Sequence, residues 1–101
     1  MVLRGFPNGK WLSSDEAGAG AAVVARVQKG TSYAAKIVDD KSWTAEWKIA
    51  WNALGIESGK QSTLDANLTV RKPADDLWLM WRGTNGNSFN VDEAGQLLLV
   101  K

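Results

Sequence analysis

The segment from Ser42 to Asn52, SWTAEWKIAWN, constrains the fold of this chain more than any other. Trp43, Ala45, Trp47, Ile49 and Trp51 fall on one face at every second position, and five of the six residues opposite are polar or charged. In an extended chain successive side chains point to opposite faces, so the pattern predicts a strand with one dry side and one wet side. A helix would group Trp43, Trp47 and Trp51 but leave Ile49 off the stripe. The same period runs through STLDANLTVR, with Leu64, Ala66, Leu68 and Val70 on one side and Asp65, Asn67, Thr69 and Arg71 on the other. Shorter strand candidates are VLRGF, AVVARVQ, SYAAKIV, DLWLMWRG and GQLLLVK. FPNGKWLSS reads as a loop, AGAGAA (Ala17 to Ala22) as a flexible loop or close backbone approach, and NALGIESGK as a single helical turn at most. Short strands at roughly 8–12-residue spacing, separated by Gly, Asn, Asp or Pro, predict an all-β chain. The expected architecture is an antiparallel β-sandwich, jelly-roll-like, forming a single domain over residues 1–101.

Composition narrows the chemistry. The chain has 101 residues, 12 Lys+Arg against 11 Asp+Glu, no His and no Cys. Without Cys there is no disulfide framework, thiol nucleophile or zinc ribbon. Without His there is no imidazole base and no Ser-His-Asp triad. A net charge of +1 offers no basic field for nucleic acid or an anionic membrane. No apolar run reaches the roughly 20 residues that span a bilayer. The aromatics are unusual in kind, with six Trp against two Phe and one Tyr. A core that needs only volume takes Leu, Ile or Phe, so some of these indoles are expected to be displayed.

The stretch around Pro73 reads as a hairpin. With a turn over KPAD, Arg71 would oppose Asp76, Val70 Leu77, Thr69 Trp78 and Leu68 Leu79. Asn67 would then meet Met80, Ala66 Trp81 and Asp65 Arg82. One face would hold Leu64, Leu68, Val70, Leu77, Leu79 and Trp81 as core. The other would hold Trp78 and Met80 ringed by Asp65, Asn67, Thr69, Arg71 and Arg82. A pyranose presents apolar C–H faces and a belt of hydroxyls, which an indole and a ring of Asn, Asp and Arg can meet. By analogy with base stacking each stacked ring contributes ~1–3 kcal/mol, and two or three contacts suggest an affinity on the order of −8 kcal/mol, or micromolar. Trp78 is therefore the leading candidate for a stacking platform, with a surface aromatic capping the sheet edge as the plain alternative. Trp43, Trp47 and Trp51 are expected to be core for at least two of the three, or an extended platform if their face lines an open cleft. Trp11 is as open to display as to burial, and Tyr33 reads as core.

Acidic pairs recur at Asp15-Glu16, Asp39-Asp40, Asp75-Asp76 and Asp92-Glu93. They read as solvated turn residues. Asp39, Asp40, Asp75 and Asp76 are the candidates if a structural Ca²⁺ is held, since that ion takes oxygen ligands from carboxylates and backbone carbonyls. No other cofactor is required. Paired carboxylates also serve glycosidases, but so short a chain leaves little room for a cleft enclosing a distorted sugar, and a non-catalytic role is expected. The sequon NLT at Asn67 lies inside a predicted strand, and GTNGN (Gly83 to Asn87) reads as turn chemistry.

WTAEWKIAWNALGIESGK and the closing EAGQLLLVK are similar to the pattern of family 9 carbohydrate-binding modules and their relatives. There an alternating strand ends in a Trp followed by an A-L-G turn, and a Gly-led strand closes the domain. The resemblance implies that Trp43, Ala45, Trp47, Ile49 and Trp51 face inward, and no ligand residue is carried over from it. In size, Trp content and lack of Cys the chain also resembles the compact β-glucan-binding module of family 81. That likeness implies binding to cellulose-like chains, cello-oligosaccharides and xyloglucan, as an appendage of a secreted, bacterial glycoside hydrolase. The expected function is thus a β-1,4-glucan-binding module with Trp78, Asn67, Arg71, Arg82, Asp65, Trp11 and Trp43 as ligand residues. The alternative is a protein-interaction or adhesion sandwich whose exposed Trp residues are interface anchors.

Overall fold

The computed structural model describes residues 1–57, 59–60 and 62–100. Ser58 of the NALGIESGK stretch and Lys101 at the end of GQLLLVK lie outside the described residues. The chain is mostly β-strand with one α-helix, and it divides into two compact units, Met1–Ser58 and Gly59–Lys101. Its eight strands pair two by two into antiparallel ladders.

The first unit opens with β1 (Val2–Gly5) and β2 (Trp11–Ser14), joined by the PNG turn. Trp11, expected in a loop, begins β2, because Phe6 and Lys10 close the turn with a backbone hydrogen bond of 2.9 Å. The AVVARVQ segment is not a strand but α1 (Ala21–Lys29). Its valines suggested extended chain, yet Ala, Arg, Gln and Lys at the other positions favour helix, and Val27 buries fully on the helical stripe. Arg26 and Lys29 lie in the last turn, where cations suit the helix dipole. Thr31 Oγ1 donates to Val27 O at 2.7 Å, Arg26 Nε donates to Ala53 O at 2.9 Å, and Ala50 N donates to Gly30 O at 2.9 Å. These bonds tie the helix to the strand that follows it and to the 3₁₀ turn Trp51–Leu54.

β3 (Thr31–Ile37) and β4 (Trp43–Ile49) form the longest ladder, with Tyr33 opposite Trp47, Ala35 opposite Ala45 and Ile37 opposite Trp43. The predicted alternation is present in β4, but Trp51 has left the strand for the 3₁₀ turn. Trp47 is half-buried, whereas Trp43 and Trp51 are exposed. The expectation that at least two of these three indoles are core is therefore corrected. Their sheet has only two strands, and the aromatic cluster of Trp11, Tyr33 and Trp47 occupies one end of its dry face. Tyr33, expected as core, is half-buried and donates its hydroxyl to Phe6 O at 3.0 Å.

In the second unit the predicted long strand STLDANLTVR breaks at Asn67 into β5 (Ser62–Ala66) and β6 (Thr69–Lys72). β5 pairs with the C-terminal β8 (Gly95–Leu99), while β6 pairs with β7 (Leu77–Met80) around a 3₁₀ turn over Pro73–Asp75. Asp76 closes that turn in the left-handed region, at φ 47°. The hairpin register is shifted by two residues from the predicted one: Arg71 faces Trp78 and Thr69 faces Met80. A shift of one would have exchanged the faces, but a shift of two preserves them. Opposite, Val70, Leu77 and Leu79, expected as core, are about half-exposed, as is Trp81, and Leu68 is 71% exposed. These side chains stay exposed because a two-stranded ladder supplies no second layer over its apolar side.

Candidate functional site

Among the described residues, an exposed indole meets a cation on the face of β6–β7 that carries Trp78. Trp78 is 49% exposed. Because the register sets Arg71 directly across from it, the guanidinium carbon lies 5.5 Å from the ring centroid, within cation–π range. Arg71 also approaches Asp76 Oδ1 at 3.8 Å, too long for a hydrogen bond and screened by exposure on both sides. Below Trp78 on the same face stand Thr69 and the half-buried Met80. Met80 is steadied by Thr84, whose buried hydroxyl reaches Met80 Sδ at 3.5 Å and Asn87 O at 2.9 Å. Thr84 was not singled out in sequence, because nothing in GTNGN distinguishes a turn threonine that folds inward.

The other residues predicted to ring Trp78 have different duties. The Asn67 side chain imitates a peptide group. Its Nδ2 donates to Arg82 O at 2.9 Å, while its Oδ1 accepts from Arg82 N at 3.0 Å and from Leu68 N at 3.0 Å. It thus ties the break between β5 and β6 to the backbone at Arg82. Asp65 lies opposite Gln96 on β5–β8 and accepts from its Nε2 at 3.1 Å. Arg82 is engaged through its backbone. Of the predicted polar ring, Arg71 stands against the indole, with Thr69 one rung away on the same face.

Trp81 lies across the glycine that opens β8. A Cβ at Gly95 would meet three atoms of its benzo ring within 3.2 Å. Beside it Ala66, Leu68, Trp81 and Leu97 line an open apolar depression. A glycine in a strand often marks such close approach, which is the signal by which Trp81 could have been placed.

Two further predicted ligand residues, Trp11 and Trp43, belong to the first unit. Trp11 meets Trp47 edge-on at 5.7 Å between ring centroids, and Trp47 leans on Tyr33 at 4.4 Å. Trp11 is thus half-buried within an aromatic cluster. Burial raises the Tyr33 phenol above its ordinary pKa. Trp43 is 41% exposed and shares its rung with the exposed Ile37.

Compared with known proteins, the chain matches no family model, no curated protein and no solved structure.

Asp39-Asp40 and Asp75-Asp76 fall at turns. Asp39 Oδ1 accepts from Ser42 Oγ and from Lys41 N, both at 2.8 Å, and the Ser42 hydroxyl, then the Lys41 amide, hold its carboxyl below the usual range. Asp40 is exposed beside it. Asp75 pairs with Lys72 at 3.6 Å and Asp76 with Arg71. Among the described residues no three Asp, Glu, His or Cys side chains converge to hold a metal ion.

Proposed function

We propose that this chain is a non-catalytic carbohydrate-binding module that seats a sugar of a β-1,4-linked glucan chain on Trp78. The observation that carries the reading is an exposed indole at a fixed strand position, braced by Arg71. A platform already held in place loses less side-chain freedom when a ligand arrives. The proposal extends to a secreted, bacterial protein in which the module is joined to a glycoside hydrolase and raises its local concentration on the polysaccharide. A jelly-roll-like sandwich is part of the same proposal, supported by the alternating strands. Affinity electrophoresis through hydroxyethylcellulose or xyloglucan tests the function. Retardation that disappears in Trp78→Ala, with the far-UV spectrum unchanged, is the expected result. No retardation across β-glucan, xylan and mannan gels would sink it.

One set of observations favours a second reading, a protein-interaction module with Trp anchors. The rung Ile37–Trp43 and the Val70, Leu77 and Leu79 side of β6–β7 leave large apolar side chains in solvent. Under that reading the protein shows no sugar dependence, and Trp43 rather than Trp78 governs partner binding.

A further inference from the structure

The polar groups at Trp78 say more about the sugar than its stacking does. A neutral pyranose is held by groups that between them donate to and accept from hydroxyls, chiefly Asn and Gln amides and the accepting carboxylate of Asp. Here the Asn67 amide is committed to the Arg82 backbone and the Asp65 carboxylate to Gln96. The group placed against the indole is Arg71, with Thr69 one rung further along the same face. Its guanidinium is positioned over Trp78, its side chain is 56% exposed, and its acidic neighbour Asp76 stands at 3.8 Å, beyond hydrogen-bond reach. The five N–H donors of a guanidinium form a planar fork that matches a carboxylate with two parallel bonds and has no acceptor to offer a hydroxyl.

From this we infer that the sugar seated on Trp78 carries a carboxylate, so that the module selects hexuronate-bearing chains over neutral ones. The inference rests on the stacking site proposed above and specifies its ligand. The indole takes the C–H face of the uronate ring, and Arg71 takes its carboxylate. Asp76 is the competing anion. As an exposed partner with poor geometry it holds Arg71 weakly, and a bidentate ligand displaces it. Lys72, the neighbouring cation, belongs to the opposite face, across from Leu77, and is paired with Asp75.

The test compares two ligands with one backbone, cellohexaose and the β-1,4-glucuronate oligomer of the same length, by isothermal titration calorimetry on the full chain. The uronate oligomer is expected to bind at least about tenfold more tightly, the return from one charge-assisted pair. Arg71→Met should erase that preference, weakening the uronate oligomer far more than the neutral one, and Arg71→Lys should restore only part of it, since the charge returns without the fork. Asp76→Asn should sharpen the preference, Trp78→Ala should weaken both ligands, and far-UV spectra should show every variant folded. Equal affinities, or a preference that survives Arg71→Met, would overturn the inference and leave the neutral glucan reading standing. Binding of neither oligomer would overturn both. Uronate binding untouched by Trp78→Ala would show charge attraction without a stacked sugar, and would equally end the inference.

Discussion

Gly5 carries no side chain because none fits there. A Cβ on it would run into the Tyr33 ring and come within 2.8 Å of Trp47, so the backbone of β1 lies directly on the aromatic cluster. Gly5→Ala forces those rings aside and is expected to cost about 1–3 kcal/mol, the usual range for overpacking. Urea denaturation measures it, and an unchanged midpoint would mean that the rings give way freely. Nearby, Glu16 accepts from Arg4 Nη2 at 2.9 Å and from Ser14 Oγ at 2.5 Å. The Arg4 bond first, and the Ser14 bond second, lower its pKa from 4.5 to about 2. A depressed folded-state value means that the carboxylate stabilises the fold above the unfolded pKa and loses that contribution as pH falls from 4.5 toward 2. The Glu16 carboxyl ¹³C shift should therefore titrate well below 4.5 and move up toward the ordinary value in Arg4→Ala. Identical titration in the two proteins would refute the pairing.

At the scale of elements, what could be read from the sequence was local. The alternation of Trp43 to Ile49, the SYAAKIV strand and the turn at Pro73 all express spacing within a few residues, and each is present. α1 was misread because Val23, Val24 and Val27 favour strands individually while their neighbours favour helix, and period alone could not arbitrate in so short a window. The pairing of β5 with β8 joins residues far apart in sequence (Asp65 with Gln96, for example), and no local pattern records it. The candidate site follows the same division. Trp78 and Arg71 share a face by parity, which survives a two-residue shift, but the withdrawal of Asn67 and Asp65 depended on distant partners. Asn67 offers the check at this scale. If its amide closes the gap between β5 and β6, Asn67→Ala should cost about 0.5–1.5 kcal/mol per lost bond. It should also remove exchange protection from the Arg82 and Leu68 amides while leaving the β5–β8 amides protected. Retained protection at Arg82 would deny Asn67 this bridging role.

Taken as one molecule, the described residues bury little: Val27 and Ala53 are the buried apolar side chains and Thr84 the buried polar one. The slope of unfolding against denaturant scales with the surface newly exposed, so a chain with so few buried side chains should give a shallow urea slope, near ~1 kcal/mol/M at the low end for small domains. Such a protein gains proportionally from anything that binds its folded state. A sugar chain at 100 times its Kd should add about 2.7 kcal/mol of stability by mass action, a large share of the total for a marginal fold. Exposed Leu, Val and Trp side chains combined with a net charge of +1 and an isoelectric point near 8.0 leave little repulsion to hold copies apart. The two effects separate the two functional readings. If the open apolar faces exist to meet protein, the melting temperature should rise with protein concentration, most steeply near pH 8, and glucan oligomers should leave it unchanged. If the indole exists to meet sugar, the melting temperature should rise with oligosaccharide at a fixed, dilute protein concentration, and the rise should vanish in Trp78→Ala.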